Sequence, residues 1–184
     1  TATPTESWQV GSVFISELLP RPAASSAQAG EWIELHNAGD TPVDLRGWVL
    51  SQPGVTERIE TTLIIAAHGY VVLARELNPW LNGGVQAQMI YSRISLDNTN
   101  ALALQLPDGA TADQAEWGAV GNAHEGRSLE RADFNTPDAW RLGWRAWPGS
   151  AGDWGSPGAP NTPPPEQTAT ITRTPTQTKT PRAS

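Results

Sequence analysis

Three glutamates, Glu17, Glu31 and Glu34, stand in two stretches whose apolar and polar residues alternate. Two carboxyl groups facing each other across a cleft are the equipment of glycoside hydrolysis. Carboxylates joined by further oxygens instead hold calcium, which takes six to eight oxygen ligands. Asp97, Asn98 and Asp108 lie in turn-forming stretches that can add oxygens. Glu17, Glu34 and Asp97 are therefore the candidate metal ligands, with calcium the candidate ion. No EF-type loop accompanies them. The plainer role for Glu17 and Glu34 is to cap turns or accept backbone hydrogen bonds. His36, His68 and His124 fall in a strand end, a turn and a Gly-flanked loop. They lack the i,i+4 helical spacing of a zinc motif, and no helix is foreseen to present one. No serine sits in a nucleophile elbow, and no phosphate loop or dinucleotide fingerprint occurs. We expect no catalytic residues and no enzyme.

The aromatic content points elsewhere. The chain has nine tryptophans. Trp140, Trp144, Trp147 and Trp154 crowd into one segment, with Arg141 and Arg145 between them. Tryptophan combines a large apolar face with one N–H donor, which suits sugar faces and protein partners. Interleaved arginines add cation–π contacts. These six residues are the candidate binding surface. The competing role is structural: the segment folds back over the end of a sandwich beneath a Ser156-Pro157-Gly158 turn.

Composition bounds the partners. The chain carries a formal charge of −7 and a pI near 4.9. The segment after Asn161 holds Arg173, Lys179 and Arg182 against Glu166, so the rest is more acidic still. An acidic surface repels phosphate backbones, and duplex nucleic acid is not an expected partner. The absence of cysteine excludes disulfides and thiolate chemistry. No apolar run approaches the ~18 residues of a membrane helix. No leader-like segment opens the chain, which weighs little in what reads as a piece of a longer protein.

The elements that must position these residues are strands. Glu31 to Asn37 alternates, with Ile33 and Leu35 on one side and Trp32 and Glu34 on the other, the period of a half-buried strand. Val10 to Leu19 is a second, β-branched strand, and Pro20 to Gly30 a surface loop. Further strands are predicted at 47–51, 57–63, 70–74, 89–92, 101–106, 112–117 and 128–132. A single helical turn is predicted at 75–81, stopping at Gly83-Gly84. Trp48 is placed in the core. Short strands at this spacing, broken by Gly and Pro, define an all-β sandwich or barrel. Residues 1–9 read as a linker. Residues 162–184, mostly Thr and Pro, bury too little apolar surface to offset their chain entropy and read as a disordered tail.

Several blocks share an order and spacing with a known family. They are Val13-Phe14-Ile15-Ser16-Glu17-Leu18, then Glu31 to Asn37, then Val43-Asp44-Leu45-Arg46-Gly47-Trp48-Val49-Leu50. Later come Ser95 to Asn98, Leu102 to Gly109, Ser128 to Arg131 and Ser156 to Asn161. No single block is specific, but together they span residues 10–161. The sequence resembles the lamin tail domain, and more closely the version found in bacterial exported proteins. The resemblance implies an immunoglobulin-like β-sandwich over 10–161. It implies a non-catalytic interaction or scaffolding module, extracellular or at the cell surface, monomeric, with a protein or cell-envelope polysaccharide as partner. The alternative is a metal-binding accessory domain of a hydrolase or nuclease.

Overall fold

The computed structural model describes residues 12–96, 101–118, 124–134 and 139–165. Two antiparallel pairings around one strand build the larger sheet. Val13–Leu19 (β1) lies between Trp32–Asn37 (β2) and Leu129–Arg131 (β11). Beyond β2 come Tyr70–Ala74 (β7) and, in parallel to it, Met89–Ile90 (β8). Trp140–Leu142 (β12) closes the other side, giving the order β12-β11-β1-β2-β7-β8. The second sheet has the order β10-β9-β4-β5, with β4 at Val49–Gln52, β5 at Val55–Arg58, β9 at Ala101–Gln105 and β10 at Thr111–Glu116. β4 and β5 join through Pro53-Gly54, where Pro53 at the first central position and Gly54 with φ +79° at the second are the pattern of a type II turn. Val43–Asp44 (β3) and Ile64–Ile65 (β6) form a short pair beside them. The architecture is an immunoglobulin-like β-sandwich.

Alternation along the strands feeds two cores. Ile15, Leu18, Ile33, Leu35, Val71 and Leu73 point between the sheets, where they meet Trp48, Leu50, Leu102 and Leu104. Leu19, Trp32, Val72 and Ala74 point outward and form a second cluster with Val85 and Trp147. Both faces of β2 are therefore buried along its whole length. This corrects the half-buried strand read from the sequence. The period of two was there, but the outer face is covered by the segment after β12, residues 143–162, which lies across the larger sheet. The packed body continues through Thr162, whose carbonyl accepts the Trp144 indole N–H at 2.7 Å.

A β-bulge decides which residues face which way. Ile15 pairs with Leu35 and Glu17 with Glu34, leaving Ser16 as the extra residue of β1. Val13 and Ile15 face the core; without the bulge Glu17 would follow them inward. The inserted residue shifts the parity, so Leu18 faces the core and Glu17 the outer side. The backbone groups that the bulge disturbs are satisfied from other strands. The Ile15 N–H donates to Asp113 Oδ2 at 2.8 Å, and Arg131 donates to the Ile15 carbonyl at 3.3 Å. Asp113 and Arg131 also pair with each other, both buried.

Elsewhere the elements differ from expectation at their edges. The 20–30 loop contains a single helical turn, Ala27–Gly30 (α1). The turn foreseen at 75–81 begins instead at Asn78. β12 falls inside the Trp-rich stretch, where burial of Trp140 and pairing of Arg141 with Glu130 draw it into the sheet. The tail expectation for 166–184 and the linker at 1–9 lie outside the described residues.

Candidate functional site

Three carboxyl groups stand side by side on the outer face of the larger sheet. Glu34 on β2 pairs across to Glu17 on β1, and Glu17 pairs across to Glu130 on β11. All three are buried, at 0, 0 and 1% exposure. Residues 155–161 lie over them and carry no charged side chain. Their donors are specific. Ser156 N–H donates to Glu17 Oε1 at 2.8 Å, and Gly158 N–H to Glu34 Oε2 at 2.6 Å. Arg141 Nε donates to Glu130 Oε2 at 3.0 Å. The Ser16 hydroxyl bonds Glu34 Oε1. Ser156 Oγ sits 3.0 Å from Glu17 Oε2, 3.3 Å from Glu130 Oε1 and 3.0 Å from Asn161 Oδ1. Gly155 is required here, because a Cβ would come within 2.5 Å of Glu17 Oε1.

Burial dominates the electrostatics. It pushes the Glu17 carboxyl up to about 8, with Glu130 adding to the rise and the Ser128 and Ser156 groups opposing it. Glu34 is raised well above the carboxylate range, by burial first and by Glu17 second. Ionisation of Glu17 and Glu34 is therefore expensive, and the oxygens of the row are already occupied by amides, hydroxyls and a guanidinium. Among the described residues, no group of three or more His, Asp or Glu is arranged to hold a metal ion. Of the predicted metal set, Glu17 and Glu34 are brought together, while Asp97 lies outside the described residues. Glu31, also buried, stands apart from the row, and its Oε2 accepts the Leu96 N–H at 3.1 Å. Glu130, which completes the row, was not singled out in the sequence. Its signal was the Glu130-Arg131 pair in a strand predicted beside the others.

The predicted tryptophan surface is divided by the fold. Trp147 is buried edge-on against Trp32, at 5.9 Å and 89°, with its N–H on the Gly84 carbonyl at 3.2 Å. Trp140 and Trp144 are half-buried, and the Arg145 guanidinium lies 5.6 Å from the Trp144 ring. Arg141 serves Glu130 rather than an indole. Trp154 stays 45% exposed, with Arg127 over its ring. Trp147 is thus turned into the second core, while the other three rings keep part of their surface in solvent. Of the histidines, His36 stacks on Tyr70 at 4.3 Å and is lowered in pKa by burial. His68 pairs with Asp40 at the surface, and His124 is exposed.

A different tryptophan is presented to solvent. Trp80 is 95% exposed, between Leu77 and the 55% exposed Leu81. The turn beneath it is pinned. Asn78 Oδ1 accepts the Trp80 N–H at 3.1 Å, and Leu81 N–H donates to the Asn78 carbonyl at 2.9 Å. The buried Asn82 amide donates to the Glu76 and Val85 carbonyls and accepts from Gly84 and Val85. Gly83 accepts from Ala151, which ties the turn to the covering segment. Sequence reasoning passed over Trp80. Its setting, Asn78-Pro79-Trp80-Leu81 ahead of Gly83-Gly84, was a turn signal with an aromatic at its tip.

Fold and site together define a sandwich domain whose acidic row is enclosed and whose most exposed aromatic, among the described residues, lies on a hydrogen-bonded turn. Residues 6–119 match the Lamin Tail Domain, and the chain belongs to that family. The family is one of non-catalytic immunoglobulin-like domains. No curated protein matches the chain. The matched part ends before β11, so Glu130, β12 and the covering segment all lie beyond it.

Proposed function

We propose that the chain is a non-catalytic interaction module of an exported or cell-surface bacterial protein, and that it engages a protein or envelope polysaccharide through the Trp80 turn. The observation that carries this reading is the 95% exposure of Trp80 on a turn held by side-chain amides. An indole left in water forgoes about 1.5–3 kcal/mol or more of burial free energy. A turn that is already ordered spends little further entropy on binding, which favours a tryptophan anchor. The Thr/Pro-rich flanks suit a module set between others on an extended chain. The acidic charge disfavours duplex nucleic acid. No helix among the described residues is long and apolar enough to cross a membrane. The buried carboxyl row is occupied by protein donors, so calcium is not expected to be required.

The test is binding of the purified module to a panel of envelope polysaccharides and to candidate surface proteins, beside a Trp80→Ala variant. Saturable binding that Trp80→Ala abolishes while the melting temperature stays unchanged supports the reading. Binding that survives Trp80→Ala moves the surface elsewhere, with Trp154 next in line. A rise in melting temperature with millimolar calcium would favour the metal-binding accessory role instead.

A further inference from the structure

We propose that Glu17 is a neutral carboxylic acid in the folded protein, that its Oε2–H donates to Ser156 Oγ, and that this proton latches residues 155–161 onto the sheet. The assignment follows from counting protons. The Asn161 side chain is oriented by two carbonyls, since its Nδ2 donates to Ser16 O at 2.8 Å and Arg131 O at 3.3 Å. Its Oδ1 is thereby fixed as an acceptor, 3.0 Å from Ser156 Oγ. The serine hydroxyl has one proton, and Asn161 takes it. Two carboxyl oxygens then face that hydroxyl with no serine proton left for them, Glu17 Oε2 at 3.0 Å and Glu130 Oε1 at 3.3 Å. Glu130 is bonded to the Arg141 guanidinium, so the nearer Glu17 Oε2 is the one that supplies the proton of its contact. Its other oxygen accepts the Ser156 amide, as the carbonyl oxygen of an acid would.

Charge counting agrees. Facing Glu17 are Glu34 and, two positions further on, His36 from β2; Tyr70 from β7; Glu130 from β11; and Arg141 from β12, bonded to Glu130. The 155–161 segment contributes no charge. Three ionised carboxylates beside one bonded guanidinium would leave uncompensated charge in a buried row, and protonation is the cheaper outcome. The raised carboxyls of Glu17 and Glu34 point the same way. If the segment lifts, Glu17 meets water and returns toward the ordinary carboxylate value of 4.5. The closed form therefore holds a proton that the open form releases to solvent. Between pH 4.5 and about 8, lifting becomes easier as pH rises, by up to tenfold per pH unit for one proton. The latch is fully set in acid and weakens in alkali.

The deciding measurement is a carbon-13 NMR titration of the glutamate side-chain carboxyls in the wild-type module, repeated on Glu17→Gln. Glutamine keeps a donor and an acceptor in place of the acid and cannot ionise. The expected result is a carboxyl with a midpoint near pH 8 that is absent from Glu17→Gln, beside the separately raised Glu34 carboxyl, together with a melting temperature that falls from pH 6 to pH 9 less steeply in the variant. All carboxyls titrating below pH 6 in the wild type would overturn the proposal. A set of high midpoints that is the same in Glu17→Gln as in the wild type would overturn it too, placing the proton on a neighbour. The wild-type titration stands even if the variant fails to fold.

Discussion

Two buried acids in this protein have opposite fates, and their neighbours explain why. Asp113 has its own cation: Arg131 pairs with it, and the Ile15 N–H completes its shell. Removing either partner strands the other as a buried charge, so Asp113→Ala is expected to cost about 3–5 kcal/mol, read in a urea melt. Glu17 has no cation of its own, because Arg141 serves Glu130. A carboxyl whose folded pKa is raised contributes stability that is complete below its unfolded value of 4.5 and lost as pH climbs through about 8. At pH 9, Glu17→Gln is accordingly expected to be more stable than the wild type, and at pH 5 no more stable; denaturant melts at the two pH values compare them. The tryptophans divide just as sharply. Trp147→Ala removes a buried ring and is expected to cost about 3–5 kcal/mol, whereas Trp80→Ala is expected to stay within about 0.5 kcal/mol of the wild type.

At the level of the element, the Ser16 bulge and the Trp80 turn do most to set function. Deleting Ser16 would restore a regular β1 in which Glu17 directly follows Ile15 and keeps its outward face and its pairing with Glu34; what is lost is the Ser16 hydroxyl bond to Glu34 Oε1. Such a variant is expected to keep a cooperative thermal transition but to lose about 1–3 kcal/mol, the cost of a buried acceptor left without its hydroxyl. Gly84 is the matching weak point of the turn: its φ is +92°, and a Cβ there would sit 1.9 Å from the Gly149 carbonyl oxygen. Gly84→Ala is expected to cost at least about 1–3 kcal/mol, measurable in the same melts, and to weaken partner binding by displacing Trp80. The strands themselves were largely legible. Residues 31–37, 70–74 and 101–106 announced themselves by alternation or β-branching, and β2, β7 and β9 formed there. The bulge was not legible, because Ser16 within Phe14-Ile15-Ser16-Glu17 is as compatible with a regular strand as with an irregular one.

Across the whole molecule, three layers rather than two account for the burial pattern. The smaller sheet, the larger sheet and the covering segment enclose one core between the first pair and a second between the last. The covering segment also braces the Trp80 turn, through Ala151 N–H on Gly83 and Trp147 N–H on Gly84. Folding of the cover and presentation of the proposed binding turn are thus mechanically connected. The acidic charge, the lack of cysteine and the turn-punctuated alternation were local properties, summed or repeated along the chain. The alternation was sufficient for an all-β sandwich or barrel, while the resemblance to the lamin tail domain lay in the order and spacing of the blocks from Val13 to Asn161. Which carboxyls meet, which tryptophans face water and which face of β2 is covered depended on contacts between residues more than a hundred positions apart, such as Glu17 with Ser156. A period of two says that a strand has two faces. Only the packing of a distant segment decides whether the second face is wet.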